Sequence, residues 1–194
     1  DDDLTQHLCS DFQYRMSLPD TNYRVFTRAL YRVARKQRRR SPWREWLESL
    51  VWDGVPRIER MFVDYAGAPE TEVVLETGRK WLPAAVARSM KPGCKVDYMV
   101  VTQGGQGIGK SMLPHILWGS DHVSEIIGAP NEKDMLMTMH SGRLASFEEM
   151  AAFKGARELN HLKALISGTD DAFRRPYAAH TVHEPRTFVL YGSV

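Results

Sequence analysis

Residues 96–118 read VDYMVVTQGGQGIGKSMLPHILW. Tyr98–Thr102 is a short apolar run with the length and β-branching of a buried strand. Gly104–Ser111, GGQGIGKS, fits G-x-x-x-x-G-K-[ST], with Gly104, Gly109, Lys110 and Ser111 in the fixed places. Met112–Trp118 is apolar enough for a buried helix. Strand, glycine-rich loop and helix form the setting in which this pattern makes a phosphate site. Pro114 falls inside the helix and removes one of its hydrogen bonds, so a kink or a shortened helix is expected there.

The chemistry accounts for the residue types. A triphosphate needs many donors close together. Gly104, Gly105, Gly107 and Gly109 let the backbone wrap tightly, so that successive N–H groups through Gln106 and Ile108 can point at phosphate oxygens. Lys110 is set to reach the β- and γ-phosphates, and the Ser111 hydroxyl to bind Mg²⁺. ATP and Mg²⁺ are the ligands this pattern implies.

Downstream, His122–Ile127 reads as a second strand. Asn131 is placed to cap a helix whose apolar face is Met135, Leu136 and Met139. Leu144–Phe147 is a short apolar run that ends in Glu148-Glu149. In a phosphate-loop enzyme an acid at the end of a neighbouring strand helps hold Mg²⁺, and a second acid polarises the attacking water. Glu148 takes the metal-side role and Glu149 the water-polarising role, an order that is exchangeable. Glu158–Ser167 is a further helix, with Leu159, Leu162 and Ile166 inward. Asp170–Tyr177 reads as a charged loop and Thr187–Tyr191 as the last strand. Arg174 and Arg175 are candidates to touch a phosphate of DNA or of a neighbour's nucleotide, and equally candidates to pair with Asp170 and Asp171. His180 and His183 have an H-x-x-H spacing, but with no third ligand evident zinc is disfavoured.

Upstream, the chain reads as helical over residues 1–92. Val25, Phe26, Ala29, Leu30 and Val33 make one face of a helix over Tyr23–Arg40, and Arg24, Arg28, Arg32 and Arg35 another. A basic face of this kind either tracks a nucleic-acid backbone or is simply solvated. The formal net charge is +2, yet this one helix carries eight positive residues without an acid, so the remainder of the chain is net acidic. Ser41-Pro42 starts a helix on which Trp43, Trp46, Leu47, Leu50 and Val51 recur at helical spacing, as core. Ile58, Met61, Phe62 and Tyr65 give a short helix closed by Gly67. Val74, Trp81, Leu82, Ala85 and Val86 give another, which Pro83 is expected to interrupt or kink. The parallel sheet should begin at Tyr98.

With 194 residues the chain suits one domain plus a helical extension. No apolar run is long enough to span a membrane. Cys9 and Cys94 show neither metal-site nor disulfide spacing, and Asp1-Asp2-Asp3 is unlike a signal peptide, so a cytoplasmic protein with free thiols is the default. The absence of an initial Met suggests a piece of a longer protein.

Several segments together resemble the virulence-associated protein E (VapE/VirE) family. They are Trp52–Ile58 (WDGVPRI), Pro92–Tyr98 (PGCKVDY), Gly104–Ser111, Leu162-Lys163-Ala164, Asp171–Arg174 (DAFR) and Pro176-Tyr177. The resemblance runs in order from about Trp43 to Val194. It implies a superfamily 3-type ATPase or helicase of phage and mobile-element replication, acting with single-stranded or fork DNA as a homo-oligomeric ring. On that resemblance Gly104, Gly109, Lys110 and Ser111 match the family's phosphate loop, Glu148 and Glu149 its acidic strand end, and Arg174, Pro176 and Tyr177 an arginine-x-proline-tyrosine segment. It also implies a DNA-contacting hairpin between the acidic pair and the last strand, near His180 and His183. The family's last strand runs into a Gly-Thr-Thr-Asn-like sequence whose Asn senses the γ-phosphate; here Tyr191-Gly192-Ser193-Val194 stands instead. The sensor and any arginine finger would lie beyond Val194.

The expectation is therefore an α/β protein: a phosphate-loop NTPase core with a parallel sheet over residues 93–194, truncated after its last strand, behind a helical region over residues 1–92. Its expected function is ATP hydrolysis in a mobile-element replication helicase. A nucleotide-gated DNA-binding protein without motor activity stays open, as does a small-molecule kinase, for which no lid-like arginine segment is evident beyond Arg174-Arg175.

Overall fold

The computed structural model describes residues 41–127, 132–148, 150, 156–174 and 181–194, with Ser10, Val25 and Ala29 as isolated positions. Most of the basic helix expected over Tyr23–Arg40, and the cap expected at Asn131, lie outside these residues. The chain divides into two units, Asp1–Ser49 and Leu50–Val194. No helix among the described residues is long and apolar enough to cross a membrane.

In the first unit, helix α1 spans Pro42–Ser49, and the Arg44 amide donates to Ser41 Oγ at 3.3 Å. Trp43 is buried, but Trp46 packs against it at 4.8 Å while staying 47% exposed, so only one of the two is core. The apolar spacing continues past the helix end, but the backbone does not. Leu50 and Val51 lie beyond Ser49 and are exposed. A turn follows, in which Asp53 accepts from the Val55 amide at 3.0 Å and pairs with Arg57 at 2.7 Å.

The second unit begins at Leu50 with this turn and continues with two helices. α2 covers Met61–Ala66 and ends at Gly67, whose φ of 65° is the left-handed closure the sequence predicts. α3 covers Glu72–Met90, with the Thr71 side chain accepting from the Val74 amide at its start. Pro83 does not interrupt it: the helix runs through nineteen residues. Proline removes a single helical donor, and burial of Trp81, Ala84, Ala85 and Arg88 secures the turns on both sides of it. Gly78 sits where α3 meets the chain before α2. A Cβ there would lie 2.5 Å from the Ile58 carbonyl oxygen and 2.7 Å from that of Glu59. Alanine ordinarily improves a helix interior by about 1 kcal/mol over glycine. Here overlap with backbone atoms outweighs that gain, and Gly78→Ala should destabilise the fold by roughly 1–3 kcal/mol in urea unfolding. A variant as stable as the parent would show that the two segments separate freely.

Four parallel strands make the sheet, in the order β1-β6-β3-β2. They are β1 Val100–Thr102, β2 Val123–Ile126, β3 Leu144–Phe147 and β6 Val189–Ser193. β3 and β6 are buried along their whole length, as inner strands of a parallel sheet covered on both faces must be. β1 begins two residues later than predicted because Tyr98 turns to α3, its hydroxyl donating to the Lys80 carbonyl at 2.6 Å. β6 is also displaced from the predicted Thr187–Tyr191. Thr187 is held by Arg143 at 2.6 Å and the Phe188 carbonyl by Arg88 at 2.8 Å, both ahead of the ladder.

α4 (Met112–Trp118), α5 (Glu132–Met139) and α6 (Ala156–Ser167) follow β1, β2 and β3 respectively. Met135, Leu136 and Met139 are buried as the spacing predicts, against Ile126, Phe147 and Leu190. Residues 170–173, read from sequence as a charged loop, instead form β4 (Asp170–Phe173), antiparallel to β5 (Val182–Pro185). Asp171 and Phe173 alternate inward, and the inward acid is what disguised the strand.

Candidate functional site

The glycine-rich loop lies at the carboxyl end of β1, the end of a parallel sheet where ligands bind. Gly107 and Gly109 adopt φ of 80° and 90°, which L side chains rarely reach, so two of the predicted glycines are required by the backbone itself. A Cβ at Gly104 would meet the end of the exposed Ile108 side chain at 2.6 Å, which that side chain can relieve by turning away. Residues Gly104, Gly105, Gln106, Gly107, Ile108 and Gly109 are all exposed. Lys110 folds over the loop, its ammonium donating to the carbonyls of Gly104 at 2.8 Å and Gly105 at 2.7 Å.

Ser111 immediately precedes α4 but does not cap it. Its hydroxyl donates instead to Glu148 Oε2 at 2.6 Å. Glu148 follows β3, which is not the neighbour of β1: β6 lies between them. The acid reaches across that strand. It is held by two hydroxyls that the sequence reading did not single out, Ser146 at 3.1 Å and Ser193 at 3.3 Å. Ser146 is two residues before the acid on the same strand, a spacing visible in the sequence; Ser193 comes from β6, which only the topology brings near. Among the described residues no group of three or more His, Cys, Asp or Glu could hold a metal ion. The oxygens of Ser111 and Glu148 are nonetheless the hard donors that Mg²⁺ takes.

Behind the loop lies an aromatic cluster. Trp81 of α3 contacts Phe62 at 5.7 Å, Trp118 at 4.8 Å and Tyr191 at 5.6 Å between ring centroids. Burial raises the Tyr191 phenol above its usual pKa, with the charge on Glu148 adding to the rise, so it stays a donor. Its hydroxyl donates to the Lys110 carbonyl at 2.7 Å and lies 2.5 Å from Thr102 Oγ1.

Glu149, Arg175, His180, Arg28, Arg32 and Arg35 lie outside the described residues. Arg174 is exposed, at the end of β4. Asp171, considered above as a partner for Arg174 or Arg175, takes Arg186 in a two-point contact at 2.6 and 2.7 Å, and His140 Nε2 at 2.9 Å. Asp170 accepts from the Thr169 hydroxyl at 3.2 Å.

Among solved structures, the apo C-terminal region of NrS-1 (305–718) matches with a TM-score of 0.50 at 18% identity, over 71% of this chain and 33% of that one. A second structure, the A form apo structure of the NrS-1 C-terminal region, gives a TM-score of 0.48 at 18% identity with the same coverage. The chain therefore spans about one third of the length of these structures, and the likeness to the first is one of fold. No curated protein matches. A family model described as the virulence-associated protein E-like domain matches residues 47–194, well over half of the chain, and it is to this family that the chain belongs.

Proposed function

We propose that this chain is the ATP-binding and ATP-hydrolysing domain of a DNA replication helicase of phages or mobile elements. The observation that carries the reading is the 2.6 Å contact between Ser111, which ends the glycine-rich loop, and Glu148, which ends a strand two places away. A loop that cradles phosphate and an acid that handles a metal or a water are useful together only if they converge on one point. Family membership supports the replication role.

In this reading the amides of Gly105–Ser111 surround the β- and γ-phosphates. Lys110 exchanges the carbonyls of Gly104 and Gly105 for phosphate oxygens and offsets the charge that develops as water attacks the γ-phosphorus in line. Ser111 and Glu148 would hold Mg²⁺, which when bound neutralises part of the triphosphate charge. Ser146 and Ser193 keep the Glu148 carboxylate aimed. Glu149 orients the water. The basic face of Arg28, Arg32 and Arg35, with Arg174 and Arg175, would follow a single-stranded or fork DNA backbone, in a ring of several copies.

The test is phosphate release from Mg–ATP with and without single-stranded DNA, beside DNA binding across a salt series. Turnover that DNA accelerates several-fold, and binding that weakens steeply with salt, are expected. Salt-sensitive DNA binding without any turnover would replace the motor with a nucleotide-gated binding protein. Turnover indifferent to DNA would remove the helicase role.

A further inference from the structure

Tyr191 is buried in β6, and its hydroxyl touches the backbone of the loop's lysine rather than any side chain of the site. The reason lies in α4. In a regular helix the amide of residue 114 would donate to the carbonyl of residue 110. Residue 114 is proline and has no N–H, so the Lys110 carbonyl is left without its helical donor. The amides of Met112 and Leu113 both go to Gly109, at 3.0 and 3.1 Å. The Tyr191 hydroxyl takes the missing place at 2.7 Å. With its proton committed there, its oxygen accepts from Thr102 at 2.5 Å, so a chain of hydrogen bonds runs from β1 through β6 to the loop. Pro114, expected to kink or shorten the helix, is the third residue of a seven-residue one, where its effect is to free that carbonyl.

We infer that Tyr191 is a positioning residue for the phosphate loop: it replaces the backbone donor that Pro114 lacks and thereby fixes the Lys110 backbone from which the ammonium reaches the nucleotide. The arrangement has physical merit. A helical amide would tie the loop to α4 alone, whereas a side chain from β6 ties it to the strand that also carries Ser193 and, through it, Glu148. The stack of Tyr191 on Trp81 holds the ring in place, so the hydroxyl is presented with little freedom to lose. The proposal rests on the nucleotide-binding reading for its consequence but not for its geometry, and two measurements separate the two.

The first is amide hydrogen exchange over residues 104–111 without nucleotide. The second is the affinity for a fluorescent ATP analogue with Mg²⁺. Tyr191→Phe keeps the ring and its stacking and removes only the hydroxyl, the donor to Lys110 and the acceptor for Thr102. It should speed exchange in the loop and weaken the analogue about ten-fold, the order expected when one part-buried acceptor is left unpaired. Thr102→Val, which leaves Tyr191 intact, should show the same change at about one third of the size. The decisive variant is the double Tyr191→Phe/Pro114→Ala, which returns an amide N–H to α4. Recovery of slow exchange and of most of the affinity is expected, and a merely packing role for Tyr191 would not produce it. Parental exchange in Tyr191→Phe, or a double variant as impaired as the single, overturns the inference. Should the parent fail to bind the analogue while exchange changes as described, the nucleotide reading falls and the positioning role stands.

Discussion

Lys110→Ala should weaken Mg–ATP binding by roughly two orders of magnitude and bring turnover to background, with an unfolding midpoint within a few degrees of the parent. The size follows from what the ammonium does. In the protein it makes two charge-assisted bonds to the carbonyls of Gly104 and Gly105, from a half-buried position. Losing those costs little, because the carbonyls of an exposed loop can turn to water. Losing a contact to a phosphate oxygen is different, since a charge-assisted hydrogen bond is worth about 1.5–3 kcal/mol and strengthens as charge builds in the transition state. Binding and turnover should therefore collapse while stability barely moves. DNA binding measured without nucleotide should stay within about two-fold of the parent, because its electrostatic term comes from other cations. A variant that still turns over ATP would mean that the loop is not the phosphate site, whatever its sequence pattern. One that loses DNA binding in equal measure would mean that the lysine lies on the nucleic-acid path.

The loop was legible because its chemistry is local. Positive φ at Gly107 and Gly109, a lysine and a hydroxyl at fixed spacing, and a strand before them are properties of one short segment. The helical face of Met135, Leu136 and Met139 was legible for the same reason. What the sequence hid is non-local or depends on solvation. Ser193 joins Glu148 only because β6 is inserted between β1 and β3, and no periodicity in the chain reports strand order. Pro83 reads as a breaker, yet the burial of Trp81 and Arg88 around it outweighs one lost hydrogen bond. Val51 has core-like spacing but ends up exposed, because the helix stops at Ser49. β4 was read as a loop because Asp171 looks like a surface residue. It becomes a core residue only once a cation from fifteen positions away is beside it.

That cation, Arg186, carries the second large effect. Replacing it with leucine should lower stability by about 3–5 kcal/mol, because it leaves a buried carboxylate without its main partner. Arg186 and Asp171 are both almost fully buried. The guanidinium makes two contacts to the acid and one to the Leu165 carbonyl, and it lies over the Phe188 ring. His140, just past the end of α5, meets the same acid at 2.9 Å, and its other ring nitrogen lies 3.8 Å from Glu184 of β5. The cluster thus ties the β4–β5 hairpin to α5 and α6 at the root of β6, the strand that bears Tyr191 and Ser193. Burial alone would raise the Asp171 pKa, but hydrogen bonds from His140 and Arg186 outweigh it and hold the carboxyl at about 2. The sign of the pH effect follows. The unfolded chain takes up the Asp171 proton near pH 4 and the folded one only near pH 2. The cluster's contribution is therefore complete above about pH 4, and roughly 2 kcal/mol of it is lost as the pH falls toward 2. Asp171→Asn should flatten that part of the stability–pH curve, and the difference from the parent removes the parallel titration of exposed acids such as Asp53. Added salt should leave the Arg186→Leu deficit nearly unchanged, since a buried pair is poorly screened. A deficit below about 1 kcal/mol, within the range of an exposed ion pair, would mean that the hairpin is held by its apolar contacts alone. The double replacement Arg186→Met/Asp171→Leu then gives the complementary result. With no charge left to bury, it should recover most of the stability lost by Arg186→Leu. The stability defect would in that case belong to the orphaned acid, not to the absence of the arginine.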